Sequence, residues 1–150
     1  MIKKALRTRK CILVADDDAD DRELIKVAFE ESGAEVELRF VENGEELMFY
    51  LNREEKYADE EKYPFPSIIL LDLNMPRKDG REALREIKGH THLKSLPIII
   101  LTTSTEAKDI SKCYELGVNS YTIKPANFSD LVSFTRMLHA YWFTIVQLPQ

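Results

Sequence analysis

The chain is poor in the residues that several protein classes depend on. It holds only two cysteines in 150 residues, Cys11 and Cys113, both inside apolar segments. That excludes a disulfide-stapled secreted scaffold and reads as two buried thiols in a reducing cytoplasm. Its five glycines, Gly33, Gly44, Gly80, Gly89 and Gly117, are scattered. They compose no phosphate-cradling loop, which excludes a nucleotide-binding module. Positive charge is not in excess: the net charge is -5 and the pI about 5.3. Binding to a nucleic-acid backbone therefore has no evident driving force. Apolar runs such as Ile98 to Leu101 are far too short to cross a bilayer. The head is basic (Lys3, Lys4, Arg7, Arg9, Lys10), but no apolar signal core follows it. There are no internal repeats and no low-complexity tract. Secreted, membrane and DNA-binding roles are not expected, and a cytoplasmic location is.

What is present is a regular alternation. Hydrophobic residues make up 44% and charged residues 31%, an ordinary globular balance for one domain. Cys11 to Ala15, Ile68 to Leu71 and Ile98 to Leu101 are apolar throughout, as strands buried on both faces of a parallel sheet are. Val36, Leu38 and Phe40 alternate with charged residues, as on an edge strand. Tyr121 to Ile123 is a fifth, shorter run. Helical stripes lie between them: Leu24, Ile25, Ala28 and Phe29, with Asp20 or Asp21 as N-cap; Leu47, Met48 and Leu51 after Asn43-Gly44; Ala83, Leu84 and Ile87 after Asp79-Gly80; Ile110, Cys113 and Tyr114 before Gly117. A long last helix carries Leu131, Phe134, Leu138, Trp142 and Ile145 on one face and is closed by Pro149. Residues 53–67, charged and then proline-bearing, read as a solvated loop. Five strand-helix units predict a doubly wound α/β sheet.

In such a sheet the chemistry lies at the carboxyl ends of the strands. The first run ends in Asp16-Asp17-Asp18, the third in Asp72, the fourth in Thr102-Thr103-Ser104 and the fifth in Lys124-Pro125. Clustered carboxylates repel unless a cation neutralises them. A hard divalent ion with oxygen ligands does so, and magnesium is the common choice beside phosphate. A lysine opposite pairs with phosphoryl oxygens as a point charge. Asp72, ending the middle strand, is the best-placed nucleophile toward phosphorus, yielding an acyl phosphate.

The segments Ile12-Leu13-Val14-Ala15-Asp16-Asp17-Asp18, Leu70-Leu71-Asp72-Leu73-Asn74-Met75-Pro76, Asp79-Gly80, Ile100-Leu101-Thr102 and Tyr121-Thr122-Ile123-Lys124-Pro125 resemble the receiver domain of two-component response regulators. They stand in the expected order over residues 10 to 147. The long loop before the third strand and the Thr102-Thr103-Ser104 run are similar to small single-domain regulators that partner phytochrome kinases. The resemblance implies a flavodoxin-like (βα)5 sheet of strand order 2-1-3-4-5. It implies a basic segment at residues 1–9, a receiver over 10–150 and no output domain.

The resemblance also implies roles. Asp72 accepts a phosphoryl group from a phosphohistidine on a sensor histidine kinase. Mg2+ is held by Asp17 directly, by Asp16 largely through water, by Asp72 and by the Asn74 backbone carbonyl. Lys124 pairs with Asp72 and then with the phosphoryl group, and its bond to Pro125 is cis. Thr102 turns onto the phosphoryl group and Tyr121 swings inward behind it. Asn74, Thr103 and Ser104 tune the phosphoryl lifetime. Asp18, Asp20 and Asp21 serve the start of the first helix.

His90, His92 and His139 form no ligand cluster, and Met48, Met75 and Met137 read as core fillers or turn neighbours. The last helix has more apolar residues than one stripe needs: Met137, Tyr141, Phe143 and Val146 fall on other faces. That excess marks a candidate contact surface, and the resemblance implies a homodimer through the fourth helix, fifth strand and fifth helix. A rival reading is a phosphatase or phosphotransferase of the haloacid dehalogenase type. Asp16 and Asp18 have its spacing, but Asp20 stands where Thr or Val is expected. A calcium loop fails because Asp21 replaces its glycine and Val27 its terminal glutamate. A receiver that acts by binding alone, without phosphorylation, is a further alternative, although the key positions are intact.

Overall fold

The computed structural model describes residues 10–149. The expected basic segment at residues 1–9 lies outside them. The described residues form β1 (Cys11–Ala15), α1 (Ala19–Ser32), β2 (Glu37–Val41), α2 (Gly44–Leu51), β3 (Ile68–Leu71), α3 (Gly80–Lys88), β4 (Ile98–Thr102), α4 (Ala107–Leu116), β5 (Ser120–Ile123) and α5 (Phe128–Ala140). The strands pair in parallel in the order β2-β1-β3-β4-β5, the flavodoxin-like topology. No described helix is long and apolar enough to cross a membrane.

Helices cover both faces of the sheet, which is why the inner strands carry no polar alternation. On one face α1 and α5 seal Ile12, Val14, Ile68, Leu70, Ile99 and Leu101 with Ile25, Phe29 and Leu138. On the other, α2, α3 and α4 cover Leu13, Ile69, Leu71, Ile98 and Ile100 with Leu47, Leu51, Leu84, Ile87 and Cys113. β1, β3 and β4 are buried along their whole length, whereas β2 and β5 are largely half-buried edges. The register of the three buried strands aligns their carboxyl ends, and with them Asp16, Asp72 and Thr102.

Several expectations are corrected. The N-cap of α1 is Asp18, two or three residues earlier than Asp20 or Asp21: its carboxylate accepts from the N–H groups of both, at 2.8 and 3.2 Å. Leu24 is 46% exposed, so the buried stripe of α1 is Ile25, Ala28 and Phe29. Ile110 is half-buried and Tyr114 exposed, and α4 buries Asp109 beside Cys113. Residues 53–67 are not simply solvated. A short 3-10 turn, Glu55–Ala58, folds Tyr57 into the core at 3% exposure. Its ring packs on those of Tyr50 and Tyr63, with centroids 5.0 and 4.8 Å away. The Tyr57 hydroxyl meets Glu46, and that of Tyr50 donates to the Pro64 carbonyl at 2.6 Å. The charged flanks of Tyr57 concealed this satellite cluster.

The last helix is also shorter than expected. After Ala140 the chain passes into a π-turn, Tyr141–Ile145, sealed by the Val146 N–H on the Tyr141 carbonyl at 3.1 Å. Five residues per closed ring break the 3.6-residue register, so Ile145 turns out to 68% exposure instead of continuing the stripe. Met137 is 65% exposed and is no core filler. Thr135 is fully buried on α5 where it meets α1, its hydroxyl oxygen 2.8 Å from the Val132 carbonyl and 3.2 Å from that of Ala28. No cis peptide bond occurs among the described residues, so Lys124–Pro125 is trans, the isomer that X-Pro bonds favour intrinsically.

Candidate functional site

Two glycines let the loops close on the site. A Cβ on Gly80 would stand 2.2 Å from the Asp72 carbonyl oxygen, and one on Gly44 would stand 2.2 Å from that of Lys78. Gly44 also donates to Lys78 at 2.8 Å, and Gly80 to Leu73 at 2.9 Å. These contacts tie the β3–α3 loop, which carries Asn74, to the starts of α2 and α3.

Asp72 follows β3 with its residue only 6% exposed. Its Oδ1 accepts from the Thr102 hydroxyl at 2.7 Å and from the Asn74 N–H at 3.2 Å. Its Oδ2 accepts from Lys124 Nζ at 2.8 Å. Lys124 is held by two more carboxylates, Asp16 at 2.8 Å and Asp21 at 2.7 Å. Burial works against the ammonium, but hydrogen bonds to Asp16, Asp21 and Asp72 outweigh it and hold the lysine firmly protonated. Burial raises the Asp16 carboxyl above the usual range, against the pull of Lys124 and the Asp18 N–H. One oxygen each from Asp16, Asp17 and Asp72 lies within 4.8 Å of the others, a spacing at which the three can hold a metal ion. Asp17 is the exposed member and gives the cluster its opening. Three carboxylates, those of Asp16, Asp21 and Asp72, thus surround one ammonium, and the hard oxygen donors of Asp16, Asp17 and Asp72 suit a divalent cation.

The residues read from the sequence meet as follows. Asp16, Asp17, Asp72, Thr102 and Lys124 converge in one pocket. Asn74 and Thr103 are exposed at its rim and Ser104 is half-buried beside them. Tyr121, on β5, sends its hydroxyl to the Ser104 carbonyl at 2.9 Å. His90, His92 and His139 lie in no metal-ligating group among the described residues.

Three features escaped the sequence. Asp21, read only as a helix-start acid, is a partner of Lys124. Arg22 donates to the Asp16 carbonyl at 2.8 Å and pairs with Glu42 at 3.1 Å, bracing the β1–α1 junction. Arg81 grips Asp109 with two N–H groups at 2.8 Å each, and the Ser104 hydroxyl donates to the same carboxylate at 2.7 Å. Those bonds, Arg81's first and Ser104's second, pull the Asp109 carboxyl down to about 2. Nothing in a single sequence links positions so far apart.

Comparison with known proteins agrees with this arrangement. The family described as "Response regulator receiver domain" matches residues 12–136. This chain belongs to the response regulator receiver family. A receiver is a phosphoacceptor signalling domain and not a classical enzyme, which decides against the dehalogenase-type reading. The receiver is 39% identical over 140 residues to the response regulator Rcp1 of Synechocystis, covering 93% of each chain. The crystal structure of the Mn(2+)-bound form of Rcp1 superposes with a TM-score of 0.83 at 38% identity, covering 94% of this chain and 99% of that one. The phosphorylated cyanobacterial phytochrome response regulator RcpA is similar at a TM-score of 0.86 and 39% identity, covering 95% and 99%. RPA3017, described in red light signalling of R. palustris, gives a TM-score of 0.89 at 38% identity, covering 94% and 99%. The receiver closely resembles these phytochrome-associated regulators.

Proposed function

We propose that this receiver takes a phosphoryl group from the phosphohistidine of a sensor histidine kinase, of the phytochrome type, onto Asp72. The observation that carries this reading is the union of Lys124, Thr102 and Asp72 in one buried pocket beside Asp16 and Asp17. A carboxylate oxygen of Asp72 attacks phosphorus, the P–N bond breaks, and the imidazole leaves. Lys124 holds the Asp72 carboxylate in place beforehand, then donates to a phosphoryl oxygen as charge moves outward. Thr102, already turned onto Asp72, offers its hydroxyl to the same group, and Tyr121 stands inward behind it on the Ser104 carbonyl. Asp16, Asp17, Asp72 and the Asn74 carbonyl would hold Mg2+, which when bound offsets negative charge on the transferring group. Exposed Asn74 and Thr103 and half-buried Ser104 border the path of an attacking water and so set the phosphoryl lifetime.

Signal leaves through the α4–β5–α5 face. Ile123, Phe128, Met137 and Tyr141 are exposed there or immediately beyond, an apolar surface suited to a second copy of the chain. The receiver acts through such protein contacts, in the cytoplasm where its kinase presents phosphohistidine. Incubation with phosphoramidate and Mg2+ tests the central step. One acid-stable, base-labile phosphoryl group on Asp72, lost in Asp72→Asn, is expected. Hydrolysis of many donor molecules per protein, or labelling that survives in Asp72→Asn, refutes it. Light scattering with and without beryllofluoride tests the dimer; a strict monomer in both states at high concentration removes it.

A further inference from the structure

The Arg81–Asp109 pair joins α3 to α4 across a polar cleft of about 530 Å³ that Asn74, Thr103 and Ser104 also line. It is built as a planar two-bond fork, and the Asp109 side chain is only 11% exposed. A surface ion pair that served helix packing alone would need nothing further. Here the same Asp109 oxygen that meets Arg81 Nη2 also takes the Ser104 hydroxyl at 2.7 Å. The Ser104 carbonyl in turn takes the Tyr121 hydroxyl at 2.9 Å. Two residues upstream, Thr102 donates to Asp72 at 2.7 Å. The β4–α4 loop is therefore held at Ser104 from α4 through its hydroxyl and from β5 through its carbonyl, with Thr102 already turned onto Asp72.

We infer that Arg81 and Asp109 are positioning residues that latch the β4–α4 loop in the arrangement competent for the phosphoryl group. The inference rests on the receiver reading of Asp72. Arg81 fixes the Asp109 carboxylate, Asp109 fixes Ser104, and Ser104 offers Tyr121 the carbonyl that keeps its ring inward. A ligand that prefers this arrangement binds more weakly in proportion to any loss of its population. Releasing the latch therefore weakens phosphoryl-mimic binding without touching a group that contacts the mimic.

The test is beryllofluoride affinity with Mg2+, measured calorimetrically on the full chain. The variants are Arg81→Gln, Asp109→Asn and Arg81→Lys, each also combined with Tyr121→Phe. Arg81→Lys keeps the charge and loses the fork, so it separates geometry from electrostatics and guards against a variant that fails to fold. Five- to twentyfold weaker binding is expected for Arg81→Gln and Asp109→Asn, with Arg81→Lys between them and wild type. Because the latch acts through Tyr121, its effect shrinks to under twofold when Tyr121→Phe is already present. Unchanged affinity in the folded variants, or losses that multiply independently of Tyr121→Phe, overturn the latch while leaving Asp72 as phosphoacceptor. Failure of the wild type to bind beryllofluoride at all overturns both.

Discussion

Replacing Asp21 by Asn examines how Lys124 changes partners. An ammonium has three donors, and here three carboxylates stand at 2.7 to 2.8 Å from Nζ. A phosphoryl oxygen must displace one of them. Asp16 is 2% exposed and Asp72 is the proposed acceptor, so Asp21, whose side chain is 34% exposed, is the partner that water can replace most cheaply. The gross attraction of such a pair is about 4 kcal/mol at an effective dielectric constant of about 20. Solvent screening of a contact one-third open, with repulsion from the other carboxylates, reduces the net to about 1 kcal/mol. Asp21→Asn therefore alters folding stability by no more than about 1 kcal/mol and lengthens the phosphoryl lifetime by about fivefold. Loss of phosphoryl label after removal of donor measures this, with Asp20→Asn, an exposed neighbour, as the charge control. A lifetime in Asp21→Asn that equals wild type, or a gain matched by Asp20→Asn, refutes the exchange. A stability loss above about 3 kcal/mol refutes it too, since that magnitude belongs to a buried pair that cannot open.

Other consequences of the geometry are open to measurement. Gly44→Ala forces its Cβ against the Lys78 carbonyl and costs about 1–3 kcal/mol in urea unfolding; it also weakens divalent-cation binding, because the displaced loop carries Asn74. Tyr57→Ala costs about 3–5 kcal/mol, and a loss under about 1 kcal/mol would return residues 53–67 to a merely solvated loop. Burial pushes the Cys11 thiol up to about 12 and raises that of Cys113, so neither reacts with Ellman's reagent until the chain is unfolded. Asp109, lowered from 3.8 to about 2, contributes stability that is whole above pH 4 and is lost as the pH falls through 2. The stability gap between wild type and Asp109→Asn accordingly closes over that interval in acid titrations.

The readable parts of the molecule were those written in short-range pattern. Ile68 to Leu71 could only be a two-sided strand, and the acid, hydroxyl and lysine following successive strands had to meet once the sheet was parallel. Asn43, Asp79 and Asn127 cap their helices through the side-chain chemistry those residues favour. What stayed hidden depends on distance in the chain. Tyr57 sits among charges, and only the rings of Tyr50 and Tyr63 reveal why it turns inward. Asp109 and Arg81 look like ordinary helix-surface charges, because the helix face that each presents is decided by packing and not by local propensity. The change to a π-turn at Tyr141 has no composition signal, so a strict 3.6-residue extrapolation carried Ile145 to the wrong face.

The unequal burial of the strands divides the sheet mechanically. β1, β3 and β4 are buried along their whole length, so Asp16, Asp72 and Thr102 at their carboxyl ends stand on the most tightly packed part of the sheet. β5 is clamped far less, and its last residue, Ile123, is 41% exposed immediately before Lys124. Packing therefore loosens toward the edge that bears both Lys124 and Tyr121. A charge placed on the rigid side does work chiefly by displacing the soft side. On the proposed function, the signal then travels in the direction in which the sheet is least tightly packed.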